Sequence, residues 1–325
     1  MGHAPFTAPP MQSQIRSSRR ILYFCHENSA PSGGFREIYQ HVRLLSASGY
    51  RAFIVHTNEA FHPTWFTEPS PAPRLNITRR DQLQDDDVLV VPETYVLEPS
   101  PHQRIIFCQN HFYAFIGLGT ARSWRDVGVS AVIASSRAIE AFVRDKLGFS
   151  DVDLVPLAID PTLFKPAGHK QFQVAVMPRK RPVEAEFIYQ FVSRHVPDLE
   201  WAVIDNHTQA RAAELLAESA IFLALNRFDG FGLPPLEAMS CACAVVGFHG
   251  FGGAEYASPE NGLWAPEDDV IACSDRLLEC IGWLRAGDPR FAAMVQHGQA
   301  TAAQYSQSRQ QAALFAVWDR LLSAG

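Results

Sequence analysis

Short apolar runs alternate with helix-spaced stretches along nearly the whole chain, and this alternation limits the fold more than any other feature. Residues 21–25, 51–56, 87–91, 104–108 and 130–135 each read as a strand whose middle has no polar side, and 152–156 as one more short strand. Strands of that kind are covered on both faces, as in parallel sheets flanked by helices. Residues 35–48 and 136–147 carry apolar side chains at helical spacing between them. Residues 165–170 (Lys-Pro-Ala-Gly-His-Lys) read as a linker, after which the alternation restarts. Strands are expected at 171–177, 200–204, 220–225, 244–248 and 261–265, and helices at 183–195, 208–218, 267–285, 289–305 and 307–323. The expected fold is therefore α/β, with two doubly wound Rossmann-like domains facing a cleft. The boundaries are 20–165 and 166–325, and the last helix is a candidate to pack back on the first domain. Residues 1–19 lack the apolar segment of a secretory signal and are expected to be a disordered leader.

Composition narrows the function classes. Hydrophobic residues make up 47% and charged residues 19% of the 325, as in globular proteins. A net charge of −6 argues against a general nucleic-acid binder and leaves room for a local basic pocket. No apolar run reaches the roughly 20 residues of a membrane span. The six cysteines fall mostly in apolar segments and read as reduced core residues, which suggests a cytoplasmic protein. Peripheral contact with a membrane is also considered, through Arg16, Arg19 and Arg20 and through the aromatics Phe61, Trp65 and Phe66, which look exposed in the irregular stretch 57–86.

The stretch 224–242 reads Ala-Leu-Asn-Arg-Phe-Asp-Gly-Phe-Gly-Leu-Pro-Pro-Leu-Glu-Ala-Met-Ser-Cys-Ala. It joins a buried strand to a helix through Gly230 and Gly232, with Pro234 and Pro235 in the first helical turn, where a missing N–H costs nothing. A glycine turn opening onto a helix N-terminus is a ready anion site. Asp229 and Glu237 bracket it, and an ionised Glu237 offers two oxygens to a vicinal diol such as a ribose. Arg179, Lys180 and Arg181 follow the first strand of the second unit at the same sheet edge, where cations suit a diphosphate; which of Lys180 and Arg181 takes that role is open. Gly33 and Gly34 can bring backbone N–H groups from the opposite domain. His111 ends a strand on that opposing face, and His26 and Asn110 are weaker candidates. A nucleoside-diphosphate sugar fits this set.

Residues 229–239 (Asp-Gly-Phe-Gly-Leu-Pro-Pro-Leu-Glu-Ala-Met) resemble the paired-acid signature of retaining GT-B glycosyltransferases of family 4. Gly252-Gly253-Ala254-Glu255 and the run Asn261-Gly-Leu-Trp-Ala-Pro resemble two further segments of that family, and 132–136 and 155–164 resemble its interdomain run. The resemblance implies a GT-B fold and metal-independent transfer of a hexosyl or deoxyhexosyl group from a nucleotide donor, with retention, to a carbohydrate, glycolipid or small-molecule acceptor. It puts Glu237 on the ribose, Asp229 on the sugar hydroxyls, Arg179 on the leaving diphosphate and His111 near the donor sugar. Lys180, Asn226, Gly230, Phe231, Gly232 and Leu233 complete the implied donor site, with no metal and no other cofactor. This chain has Asp229 where the family usually has Glu, Glu184 where its lysine falls, and Asn226 where Ser is common. Two other readings are a non-catalytic GT-B-like protein that binds nucleotide, glycan or a partner, and a nucleotide-sugar isomerase on the same scaffold.

Overall fold

The computed structural model describes residues 16–323 except 59, 60, 62, 64, 67–70, 78 and 99. Most of the expected leader (1–15) therefore lies outside the described residues. The first sheet is built from β1 (Arg20–Phe24), β2 (Arg51–His56), β3 (Arg74–Asn76), β4 (Val88–Pro92), β5 (Gln103–Cys108), β6 (Val129–Ala134) and β7 (Val152–Leu154). All its pairings are parallel, in the order β3-β2-β1-β4-β5-β6-β7. The helices α1 (Gly33–Ala47), α2 (Ala114–Leu118) and α3 (Arg137–Asp145) connect its strands.

The second sheet holds β8 (Gln171–Val176), β9 (Glu200–Val203), β10 (Ser219–Leu225), β11 (Ala244–Phe248) and β12 (Leu263–Trp264). It is also parallel, in the order β12-β11-β10-β8-β9. Its helices are α4 (Pro182–His195), α5 (Gln209–Glu218), α6 (Leu233–Ser240), α7 (Val270–Ala286) and α8 (Pro289–Ala303). The last helix, α9 (Gln307–Ser323), returns to the first sheet. There Leu314, Val317, Trp318 and Leu321 join the core formed by Ile21, Tyr23 and α1.

Strand order reverses between β1 and β4 in one sheet and between β8 and β10 in the other. Such reversals open a crevice at the carboxyl ends of the strands, because successive connections leave toward opposite faces. The buried strands explain why the alternation is so clear: every residue of β4, β10 and β11 is buried.

The structure corrects one expectation, the exposure of the aromatics in 57–86. Trp65 is buried, and Phe61 and Phe66 pack against the same core, edge-on around Phe35 and Tyr39. Trp65 is a core residue of a loop that has no regular pattern to reveal it, and Phe61 and Phe66 are half-buried rather than exposed. The arginines named with them have partners within the protein: Arg20 donates to Asp87 at 2.5 Å, Arg19 to Gln103 at 2.8 Å, and Arg16, which stays exposed, reaches Tyr50 at 3.0 Å. The six cysteines are buried and unbridged. Among the described residues no helix is long and apolar enough to cross a membrane.

Candidate active site

A cleft of about 530 Å³ lies between the carboxyl edges of the two sheets. Five strand ends supply its walls: His26 follows β1, Glu93 follows β4, Gln109 follows β5, Lys180 follows β8 and Asn226 follows β10. From the sequence-predicted set, Gly33, Gly34, Arg179, Lys180, Asn226, Asp229, Gly230, Phe231, Gly232, Leu233 and Glu237 all line it.

The turn between β10 and α6 is fixed by backbone contacts. Asp229 N–H donates to the Gly250 carbonyl at 3.0 Å, and Ser136 Oγ from the first domain donates to the Gly230 carbonyl at 2.7 Å. Gly230 lies against the opposite domain so closely that a Cβ there would collide with the Gln109 carbonyl. Gly232 adopts φ +89° as the N-cap residue of α6, a conformation that L side chains avoid. Phe231 is turned into the core against Tyr256 and Tyr305, so its backbone and not its ring is available to a ligand.

The cations divide into two roles. Lys180 pairs with Asp229 and also donates to the Arg227 carbonyl at 3.2 Å. Burial raises the Asp229 carboxyl above its ordinary range, while Lys180 and Arg179 pull against that shift. Arg179 crosses the cleft to donate to the Pro31 carbonyl at 3.0 Å. Arg181 points away and is buried. It donates to the Asn226 carbonyl at 2.9 Å and Glu267 at 2.8 Å, pairs with Asp268 and Glu184, and stacks on Phe248. Arg181 thus anchors the loop below the cleft, and Lys180 is the side chain of the two that faces it. The Lys180–Asp229 pair joins the basic run to the first acid.

From the first domain, the N-terminus of α1 faces the cleft, with Ser32 Oγ capping the Phe35 N–H at 3.4 Å. Gly33 approaches Leu233 and Gly34 approaches the Gln109 side chain. Arg36, in the first turn, donates to Glu237 Oε1 at 2.9 Å. Sequence reasoning missed Arg36, although its place three residues into a helix that begins Gly-Gly puts it over the same edge. Glu93 was missed too. Its carboxylate accepts the Gln109 and Asn110 N–H groups at 3.1 and 2.9 Å, and burial pushes it up to about 7. Asn110 in turn donates to the Phe228 carbonyl at 2.9 Å, linking the domains. Asn226 lines the cleft, and among the described residues its buried Nδ2 has no hydrogen-bond partner.

His111 is the exception. It is not among the cleft-lining residues; its ring packs on Phe112 and Phe142, and burial lowers its proton affinity. Its backbone follows β5 as expected, but the 3-10 turn at His111–Tyr113 directs the ring toward α3.

Two parallel sheets with facing carboxyl edges recur in solved structures. Sucrose-phosphate synthase from Thermosynechococcus elongatus superposes with a TM-score of 0.69 at 13% identity, covering 94% of this chain and all (100%) of that one. Anabaena HepE, solved in complex with UDP-glucose, gives 0.65 at 14% identity over 93% and 99% of the two chains. The fold is GT-B. Residues 190–282 match the family model described as glycosyl transferases group 1. An alpha-1,6-glucosyltransferase of Actinobacillus pleuropneumoniae is 26% identical over 275 residues, spanning 80% of this chain and 83% of its own. The GT-B chain therefore resembles group 1 glycosyl transferases in sequence as well as in fold.

Proposed function

We propose that this protein is a retaining, metal-independent glycosyltransferase that moves a hexosyl group from a nucleoside-diphosphate donor to a carbohydrate acceptor. The observation that carries this reading is the convergence of Asp229, Lys180, Arg179, Glu237 and two helix N-termini on one cleft. The similarity to an alpha-1,6-glucosyltransferase and to a structure holding UDP-glucose supports a glucosyl donor as the first to try.

Each group has a physical task in this reading. Glu237 Oε2 accepts the ribose hydroxyls while Oε1 stays with Arg36. The backbone at Gly232–Leu233 and the N-terminus of α1 face the diphosphate, as free N–H groups and aligned dipoles favour. Arg179 and Lys180 neutralise the charge that grows on the leaving diphosphate, which is where a fixed cation lowers the barrier. Lys180 leaves Asp229 one oxygen for the sugar hydroxyls. The C1–O bond to the diphosphate breaks and the acceptor oxygen attacks from the same face. The acceptor proton passes to a donor phosphate oxygen, so no protein nucleophile is required. The remaining contribution is orientation.

Incubation with UDP-glucose and a gluco-oligosaccharide should give UDP and an α-linked product by nuclear magnetic resonance, with the rate unchanged by EDTA. Glu237→Ala should lower kcat/KM by about a hundredfold or more while the protein stays folded. Absence of binding to any of UDP, GDP, dTDP and ADP would sink the proposal, and a β-linked product would remove retention.

A further inference from the structure

The ion pair between Arg36 and Glu237 crosses the cleft. Glu237 is 5% exposed, and the Arg36 side chain is 18% exposed. Among the described residues Arg36 is the only cation within ion-pairing distance of Glu237. Both residues also border a second chamber of about 510 Å³, so the pair stands between two open spaces rather than inside a packed wall. A carboxylate buried there without a partner would be costly.

We infer that Arg36 is a positioning residue: from the first domain it clamps Glu237 of the second, so that Oε2 meets the ribose hydroxyls only when the two domains are closed. The inference rests on the proposed role of Glu237. It makes a prediction that a merely structural salt bridge does not share. Removing Arg36 should weaken recognition of the ribose specifically, because the diphosphate is held by other groups.

The test is calorimetric binding to the full chain. The probes are whichever of UDP, GDP or ADP binds best, its 2′-deoxy counterpart, and inorganic pyrophosphate. The wild type should prefer the ribonucleotide over the deoxy form. Arg36→Ala should weaken the ribonucleotide about tenfold, leave pyrophosphate unchanged and erase the preference for the hydroxyl. Arg36→Lys should restore part of the loss. Arg36→Ala combined with Glu237→Gln should bind no worse than Glu237→Gln alone, since the two act as one unit. If Arg36→Ala fails to fold, Arg36→Gln takes its place under the same expectations. Unchanged ribonucleotide affinity, an equal loss for pyrophosphate, or tighter binding would each overturn the inference while leaving the proposed function intact. A wild type that binds none of the nucleotides overturns both.

Discussion

Glu37 sits beside Arg36 on α1 yet faces inward. It is buried, accepts a hydrogen bond from Gln310 Nε2 at 2.8 Å, and burial pushes its carboxyl up to about 7. Gln310 and Arg36 favour its charged form, and Glu237 opposes it. A raised carboxyl binds its proton more tightly when folded. Its stability contribution is complete below the unfolded value of 4.5 and is lost as pH rises through about 7. Glu37→Gln has no such loss. Its melting temperature should match the wild type at pH 4.5 and exceed it by a few degrees at pH 8, as read by thermal denaturation. A parallel pair of curves would show that Glu37 does not titrate in this window. Arg181 teaches the converse at the same scale. In the sequence it is one of three adjacent cations, and only its burial among Glu184, Glu267 and Asp268 sets it apart from Lys180. A run of charges in sequence carries no sign of which member the fold turns inward.

The turn after β10 is the element on which the site depends. Phe228 and Phe251 both hold positive φ, at 48° and 68°, in adjacent turns joined by the Asp229–Phe251 bridge. Side chains in that region cost about 1–3 kcal/mol each and persist where surrounding contacts over-determine them. Gly230 meets the Gln109–Asn110 segment across the cleft. Gly230→Ala should therefore hold the domains apart. Losing the Arg36–Glu237 clamp should cost nucleotide affinity about tenfold, as in Arg36→Ala, while kcat falls by about a hundredfold or more. Steady-state kinetics beside direct nucleotide binding separates the two, and an equal effect on both would contradict this account. The glycine turn and the proline-led helix were readable from 224–242, because turn chemistry is local. Two other elements were not. β3 is a three-residue edge strand and α2 is a five-residue helix, both too short for a periodic pattern.

Across the whole molecule the chain crosses between domains twice, and the two crossings lie side by side. Ile159 N–H donates to the Tyr305 carbonyl at 2.8 Å, and Ile159 pairs with Ser306. Beyond that point α9 completes the first domain. Trp318 is fully buried at 0% exposure and donates to Tyr23 OH at 3.2 Å, while Tyr50 OH donates to Asp319 at 2.6 Å. Trp318→Ala should destabilise the first domain by about 3–5 kcal/mol. Native-state hydrogen exchange should show faster exchange in β1 and α1 than in β10 and β11. Uniform acceleration of both sheets would mean that the domains unfold as one unit.

By itself the sequence determined the α/β alternation, the restart after residue 170 and the strand-turn-helix that carries Asp229 and Glu237. Each of these is written in neighbouring residues, through burial of strands and the conformational limits of glycine and proline. The tertiary structure alone decided which candidates share the cleft. It turned His111 and Arg181 away, buried Trp65 in the core, and set Arg36 on Glu237 from 201 positions earlier in the chain. Those outcomes depend on how two separately folded sheets meet, and no local pattern encodes a contact between side chains so far apart in sequence.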